Sequence, residues 1–384
     1  MNQKDGGRKL DASDGNQPGE CRGYVRVLTP SSNTFELFTE GDELYKTMLA
    51  AIASAQQCVD LESYIFADDE VGWWFAEALA ERAQAGVKIR VHIDAAGSLF
   101  WASRRLKTYL RQQGVVVKWF HRWSWRRPWR YNRRNHRKLL VVDNRRAYLG
   151  GFNIHRENSL AVYGEERWRD THIGIEGSLA GVASQLFAAF WYGDRRWLAD
   201  VGKSDSYLLH NHTLTCRHRL RCVYSDTFAS ARQYVFLTTP YFVPDHIIQR
   251  GLKAAAQRGV DVRLLVPQKS DLRITQWAAR AAYARLLAAG VRIYEYLPRV
   301  LHAKTIVVDG EWMMVGTANL DYRSLFVNYE LNLVSRNIDL SSQLKQQFLA
   351  DLDEAEQIKP LQWSKRGWRS RLSETVAWLA RRWL

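Results

Sequence analysis

One short pattern of polar residues occurs twice in this chain, and its residue types suit chemistry on a phosphate ester. The two copies start 166 residues apart, and they place His136, Lys138, Asp143 and Asn153 in register with His302, Lys304, Asp309 and Asn319. On a strand, a histidine and a lysine two residues apart point to the same face. A single copy would commonly be a solvated strand edge, whereas two copies in register indicate a functional pair.

Phosphoryl transfer needs a nucleophile, an acid for the leaving oxygen and fixed positive charge. His136 and His302 can divide the first two tasks, because one imidazole can attack phosphorus while the other protonates the leaving alcohol. Lys138 and Lys304 can supply the positive charge. The sequence therefore predicts a site that needs neither a metal ion nor a cofactor, and the four cysteines show no metal-binding spacing.

Small and amide residues follow each histidine and lysine. Gly151 and Thr317 would let backbone N–H groups approach an oxyanion, and Asn153 and Asn319 would offer side-chain amides to the same place. These four residues are predicted to support the phosphate.

Acidic residues accompany each copy of the pattern. Asp143 and Asp309 are candidates for the catalytic group, although both could instead cap the turn that begins at Asn144 or Gly310. Asp170 and Glu330 follow their copies at similar distances and could orient the imidazoles.

Strand and helix patterns alternate on both sides of these motifs. Period-2 and period-3.6 apolar patterns predict β–α units and a mixed sheet in each half of the 384-residue chain. The predicted divisions are a disordered tail at 1–25, half-domains at 26–200 and 201–357, and a basic, Trp-rich amphipathic C-terminal helix at 358–384. The helix that precedes the first strand of the first half has almost no counterpart in the second half, so one face of the second sheet is expected to be less covered or to be covered by residues 195–222.

The duplicated pattern resembles the HxKxxxxD motif of the phospholipase D superfamily. The segments 64–68, 85–90, 239–245 and 254–263 extend the resemblance to the bacterial cardiolipin synthases, and the chain is most similar to their short type, which lacks N-terminal transmembrane helices. The resemblance implies two tandem α/β half-domains packed with pseudo-two-fold symmetry around one active site. It also implies that Glu330 orients His136, that Asp170 orients His302, and that His136 is the nucleophile.

Charge and hydropathy limit the partners. The net charge of +15 predicts an anionic partner, either membrane headgroups or nucleic acid. No run approaches 18 apolar residues, so membrane attachment is expected to be peripheral. Together with the resemblance, this places the protein on the cytoplasmic face of a bacterial plasma membrane, with anionic phospholipid as its partner and without nucleic acid or an obligate protein partner.

Two segments are candidates for membrane contact. The first half carries ten more residues than the second between the glycine before its fourth strand and the motif histidine. This insertion contributes Trp123, Trp125, Arg126, Arg127, Trp129 and Arg130, and the basic, tryptophan-rich C-terminal segment contributes Trp368 and Trp383. Arginine with tryptophan is typical of interfacial segments. Stacking on single-stranded nucleic acid and packing on the protein surface are alternatives.

Three functions remain open at this point. The first is a phosphatidyltransferase that moves a phosphatidyl group between two phosphatidylglycerol molecules and releases glycerol. The second is a phosphodiesterase acting on phospholipid or nucleic acid, and the third is a lipid-binding protein without activity. The filled motif positions in both copies disfavour the third, and the resemblance favours the first.

Overall fold

Two mixed β-sheets form the framework of the protein. The computed structural model describes residues 33–126, 131–194, 204–270, 273–360 and 363. The first half contributes β1 (Thr34–Phe38), α1 (Gly41–Ala53), β2 (Cys58–Ser63), α2 (Glu70–Gln84), β3 (Lys88–Asp94), α3 (Arg104–Gln112), β4 (Val116–Phe120), β5 (Leu139–Val142), β6 (Arg146–Gly150), α4 (Leu160–Tyr163), β7 (His172–Glu176) and α5 (Ser178–Tyr192).

The second half repeats this order with additional short strands. Its elements are β8 (Ser206–His210), α6 (Leu214–Ser230), β9 (Tyr234–Thr238), β10 (Phe242–Val243), α7 (His246–Gln257), β11 (Asp261–Pro267), α8 (Arg273–Leu287), β12 (Arg292–Tyr296), β13 (Thr305–Val308), β14 (Trp312–Gly316), β15 (Leu320–Asp321), α9 (Tyr322–Phe326), β16 (Leu331–Ser335), α10 (Ile338–Asp353) and β17 (Ala355–Gln357).

The two sheets share one strand order. The seven-stranded sheet runs β1-β7-β6-β5-β2-β3-β4, and the eight-stranded sheet runs β17-β12-β11-β9-β13-β14-β16-β8. In each, three parallel strands continue into four antiparallel strands, and in the eight-stranded sheet β17 adds an antiparallel strand beside β12. The predicted pair of mixed sheets flanked by helices is therefore confirmed. The predicted boundary at 200 lies in 195–203, outside the described residues.

The motif strands lie between two apolar layers. Alternate side chains of a strand point to opposite faces, so Leu139 and Val141 enter a core shared by both sheets, while Leu140 and Val142 enter the outer core of the first half. Burying each such side chain stabilises the fold by about 2 kcal/mol. The shared core also receives Val307 of β13, so the two motif strands are held against one common layer.

The helix predicted to be missing from the second half is present. Helix α6 spans Leu214–Ser230 and is capped by Thr213, whose side chain accepts a hydrogen bond from the Cys216 N–H. Its buried stripe is narrow and includes polar residues, namely Cys216, Arg217, Leu220, Tyr224, Thr227 and Phe228. That stripe lacks the aliphatic repeat that marks a helix in sequence, which is why the prediction was wrong.

Candidate active site

The backbone N–H of each motif histidine donates a hydrogen bond to the other half of the chain. The His136 N–H donates to the Tyr329 carbonyl at 3.0 Å, and the His302 N–H donates to the Arg169 carbonyl at 2.7 Å. The residue after each acceptor is an acid, Glu330 or Asp170. These two backbone hydrogen bonds therefore hold each carboxylate beside the imidazole of the opposite half.

His136 lies against a carboxylate that is itself held in place. Its Nδ1 atom is 3.0 Å from Glu330 Oε2 and 3.2 Å from Oε1. The Thr317 hydroxyl donates to Glu330 Oε2 at 2.5 Å, and the Glu330 N–H donates to Asn211 Oδ1 at 2.7 Å. A carboxylate on Nδ1 stabilises the tautomer that leaves the Nε2 lone pair available for attack.

His302 forms the corresponding pair with Asp170. The Nδ1–Oδ2 distance is 2.5 Å, and Lys304 Nζ lies 2.8 Å from the same ring nitrogen. Gly151 packs directly on Asp170, since a Cβ atom built there would lie 1.8 Å from Asp170 Oδ1. Gly151 and Thr317 were predicted to support phosphate, and the structure places both beside the carboxylates.

A buried ion pair fixes the segment before β7 that carries Asp170. The Arg169 guanidinium makes two hydrogen bonds of 3.0 Å to Asp351 on α10. Both partners are buried, so removing either one would leave a charge without compensation. This pair could not be predicted from the sequence, because nothing in either motif indicates that α10 reaches the site.

The asparagines of the two motifs support the loops beside the histidines. Asn153 Oδ1 accepts the Ile65 N–H at 3.1 Å, and its carbonyl accepts the Tyr45 hydroxyl at 2.5 Å. The Asn319 N–H donates to Ser324 Oγ at 3.2 Å. Asn319 Oδ1 is buried without a hydrogen-bond partner among the described residues, so it can still accept a donor.

The two lysines give the site its positive charge. Lys138 Nζ donates to the His136 carbonyl at 2.9 Å and lies 5.2 Å from the centre of the Tyr64 ring. Burial and the charge of Lys304 lower the pKa of Lys138 to about 7. Burial and Lys304 also lower the pKa of His302 to about 3. Lys138 and His302 are thus groups of this site that would gain protons beside an anion.

We expect anion binding at this site to weaken as the pH rises through about 7. Lys138 is protonated below its lowered pKa, and a bound anion favours that charged form. Sulfate keeps a constant charge over this range, so titration calorimetry with sulfate at pH 6 and pH 8 measures the effect. The expected loss of affinity is about threefold to tenfold, with proton uptake on binding at the higher pH.

Lys138→Gln is the control for this pH dependence. It should bind sulfate weakly and with nearly the same affinity at both pH values. Equal wild-type affinities at both values would contradict the assignment of Lys138 as an anion-binding group that titrates near neutrality.

Asp143 and Asp309 are not placed beside the histidines. Each lies at the far end of its motif strand, beyond four strand residues that span about 13 Å. Asp143 accepts the N–H groups of residues 56, 57 and 58 at 2.8, 2.8 and 2.9 Å, and Asp309 accepts those of residues 232, 233 and 234 at 2.8 Å. Each carboxylate therefore caps the segment that leads into the neighbouring strand, β2 or β9, and does not cap its own turn. Neither carboxylate is brought to the catalytic group.

Replacing Asp309 by Ala should reduce stability and leave the chemistry largely unchanged. Three backbone N–H groups lose a charged acceptor, which costs about 2 kcal/mol at this partly exposed position. Urea unfolding measures the loss, and turnover per folded molecule should stay within about twofold of wild type. A large fall in turnover without a change in unfolding would restore the catalytic interpretation.

Two residues outside the predicted site shape the environment of His136. Asn211 is fully buried, and besides holding Glu330 it donates to the carbonyls of Ser324 and Asn328 at 2.9 and 3.0 Å. The Tyr64 ring stands edge-on to the His136 imidazole at 4.9 Å. No motif includes Asn211, so the sequence does not indicate its role. Tyr64 directly follows strand β2, and its position at the end of a strand next to the motif strand is the signal that could have indicated it.

The insertion before the first motif is partly visible. Trp123 and Trp125 are exposed, and the Arg126 guanidinium lies 5.1 Å from the Trp125 ring. Arg127, Trp129, Arg130, Trp368 and Trp383, which complete the predicted membrane contact, lie outside the described residues. The insertion is tied to the second half, because the Arg323 guanidinium donates to the Asn132 side chain at 2.9 Å and to its carbonyl at 2.7 Å.

The described ranges contain neither a membrane-spanning helix nor a metal-binding cluster. None of the helices there is both long enough and apolar enough to cross a bilayer. Within the same ranges, no three His, Cys, Asp or Glu side chains are grouped so that they could hold a metal ion.

A family model and many known proteins match this chain. The model described as the cardiolipin synthase, PLD-like domain matches residues 48–169 and 224–352. A cardiolipin synthase of Geobacillus kaustophilus is 34% identical over 89% of this chain and 70% of its own length. Cardiolipin synthase A of Pseudomonas entomophila is 33% identical over 87% of this chain and 71% of its own length.

The fold is also found among solved structures. A phosphatidylserine synthase from Haemophilus influenzae superimposes with a TM-score of 0.69 over 91% of this chain and 95% of that chain, at 13% sequence identity. At this identity the likeness concerns the fold alone. The family model and the relatives above 30% identity show the family of this chain. With its two crossed histidine–carboxylate pairs, the chain belongs to the cardiolipin synthase family of phospholipase D-like enzymes.

Proposed function

We propose that this protein transfers a phosphatidyl group from one phosphatidylglycerol to a second and releases glycerol, which yields cardiolipin. The observation that carries the proposal is the crossed pairing of His136 with Glu330 and His302 with Asp170, each beside a motif lysine. This arrangement supplies a nucleophile, an acid and fixed positive charge. The names of the relatives supply the substrate class.

The first half-reaction forms a phosphatidyl-enzyme. His136 Nε2 attacks phosphorus, the bond from phosphorus to the glycerol oxygen breaks, and the imidazolium of His302 gives its proton to that oxygen. Burial holds the pKa of His302 low, but the negative charge of a bound phosphodiester favours the protonated ring. Substrate binding therefore helps to charge the acid that the reaction needs.

The second half-reaction reverses these roles. A glycerol hydroxyl of the second phosphatidylglycerol gives its proton to His302, and its oxygen attacks phosphorus while the bond to His136 Nε2 breaks. Lys138 and Lys304 balance the charge that grows on the phosphoryl oxygens in both steps. Asp170 can hold the charged His302, since Lys304 and His302 keep the pKa of Asp170 below its usual value although burial alone would raise it.

Labelled phosphatidylglycerol in vesicles, incubated with the purified protein, tests the proposal. Labelled cardiolipin and free glycerol are the expected products. Phosphatidic acid as the main product would instead show hydrolysis, in which water takes the place of the second lipid. Cleavage of an oligonucleotide in a parallel reaction would support the nucleic-acid alternative.

The cellular setting belongs to the same proposal. We place the protein peripherally on the cytoplasmic face of a bacterial plasma membrane, where anionic phospholipid is both substrate and docking surface. The charge of +15 and the exposed Trp123 and Trp125 support this placement. The half-domains at 26–200 and 201–357, the tail at 1–25 and a membrane-binding segment at 358–384 remain predictions.

A further inference from the structure

An open groove lies along α3 in the first half, outside the histidine pairs. It has a volume of about 970 Å³. Its lining includes four cationic and two indole side chains, from Arg104, Lys107, Arg111, Arg122, Trp119 and Trp123. No acidic side chain is among the described residues that line it.

Two of the cations of this groove lie near one indole ring. Lys107 Nζ lies 5.8 Å and the Arg122 guanidinium 6.0 Å from the centre of the Trp119 ring. Partial burial and the nearby Arg122, Arg111 and Arg104 lower the pKa of Lys107. Like charges held this close favour an anion between them.

The wall of the groove also contains an unused hydrogen-bond donor. The Trp119 indole N–H is buried and has no hydrogen-bond partner within the described part of the chain. A buried donor without a partner carries a desolvation cost that a bound acceptor would remove. A phosphate oxygen is such an acceptor, and the surrounding cations would hold its charge.

Apolar side chains project beside these cations. The loop that leads into α3 exposes Leu99 and Phe100, with 57% and 93% of their surfaces accessible. On the neighbouring insertion, Trp123 and Trp125 are 65% and 78% exposed. Large apolar residues next to a cluster of arginine and lysine are typical of a surface that enters a bilayer interface.

Short contacts join this groove to the environment of His136. Asp94, at the end of β3, accepts the Asn135 N–H at 2.7 Å, and Asn135 directly precedes His136. In the loop after β3, Ser98 Oγ donates to the Tyr64 carbonyl at 2.9 Å. Because the Tyr64 ring packs on His136, a ligand held in the groove would be fixed relative to the catalytic pair.

The described residues of the second half differ from those of the groove at the equivalent place. Helix α8 occupies the place of α3, and its Arg280 is paired with Glu295 at 3.1 Å. The connection from β12 to β13 covers 297–304, whereas that from β4 to β5 covers 121–138 and includes the insertion. Although the catalytic pairs are nearly symmetric, the surfaces beside them are not.

We propose that the α3 groove binds the phosphate headgroup of an anionic phospholipid in the bilayer, while Leu99 and Phe100 enter the acyl layer. This inference rests on the proposed function, and it assigns the first half as the side that docks on the membrane. The lipid held in the groove is separate from the one whose phosphorus reacts at the histidines.

Vesicle binding by the full chain tests this inference without any turnover. The double variant Arg104→Gln/Lys107→Gln should bind mixed phosphatidic acid and phosphatidylcholine vesicles about 25-fold more weakly than wild type, because each basic side chain near an anionic surface contributes about fivefold. Phe100→Ala should weaken binding to these vesicles and to pure phosphatidylcholine vesicles alike. Unchanged thermal unfolding of each variant shows that the fold is intact.

A matched charge control comes from the opposite end of the first sheet. Lys88 begins β3, and Arg145 lies in the turn between β5 and β6, so Lys88→Gln/Arg145→Gln removes the same charge away from the groove. This variant should bind within about twofold of wild type. An equal loss in both double variants would overturn the inference, because net charge alone would then explain binding.

The same variants separate this inference from the proposed function and from nucleic-acid binding. If wild type makes no cardiolipin but the groove variant still loses vesicle binding selectively, the proposed function fails and the groove stands. If cardiolipin forms and the groove variant binds vesicles normally, the groove fails alone. Selective loss of single-stranded oligonucleotide binding, with vesicle binding unchanged, would also overturn the lipid assignment.

Discussion

His136→Ala should lower the formation of cardiolipin by about 10³-fold or more and leave the fold intact. The variant removes the atom that forms the bond to phosphorus, and the remaining lysines can only bind the substrate. The same loss is expected for His302→Ala, since the leaving glycerol then departs without a proton. Labelled phosphatidylglycerol in vesicles measures both, with thermal unfolding as the check on structure.

A substrate with an activated leaving group separates the two histidines. Phosphatidyl-p-nitrophenol needs no proton on its leaving oxygen, so His302→Ala should release about one equivalent of nitrophenol and retain a labelled phosphatidyl group. His136→Ala should release none. The opposite pattern would assign attack to His302, and more than a few per cent residual turnover in either variant with the natural lipid would contradict the two-histidine mechanism.

Glu330→Gln should reduce turnover by about 10² to 10⁴-fold with little change in stability. The carboxylate accepts the Nδ1 proton of His136, whereas an amide can turn its NH₂ group toward the ring and stabilise the wrong tautomer. In a serine protease triad the corresponding change costs about 10⁴-fold. Steady-state turnover with lipid vesicles measures the loss.

The conservative variant Glu330→Asp is the control for this prediction. It keeps the negative charge, and Asp170 shows that an aspartate can serve the other histidine. Glu330→Asp should therefore retain more activity than Glu330→Gln. Similar activity in both would indicate that Glu330 acts through packing alone, and the pH profile of Glu330→Gln would then match that of wild type.

The sequence predicts the catalytic framework well because the information lies in short, local patterns. Two copies of the motif locate His136 and His302, and apolar alternation locates the strands that carry them. The turns after these strands are also confirmed, since Asn144 and Gly310 have φ values of 58° and 75°. Each of these features depends on residues that are close in sequence.

The contacts that complete the site are long-range, and they explain what the sequence left out. Asn211 reaches Glu330 across 119 positions, and Arg169 reaches Asp351 across 182. Neither residue stands in a motif, and an asparagine or arginine alone predicts no partner. Helix α6 was missed for a related reason, since its buried stripe includes Arg217 and Thr227 and becomes recognisable only beside the sheet that it covers.

Each half-domain, or lobe, supplies the carboxylate that contacts the histidine of the other lobe. This arrangement has a consequence for regulation and for engineering. The backbone hydrogen bonds at Tyr329 and Arg169 hold each carboxylate beside the imidazole of the other lobe. Separating the lobes would therefore take the carboxylate away from both histidines together. Cleavage in a connecting segment, or expression as two fragments, should therefore give activity only where the lobes reassemble. Turnover would then measure lobe assembly, because neither lobe alone contains a complete histidine–carboxylate pair.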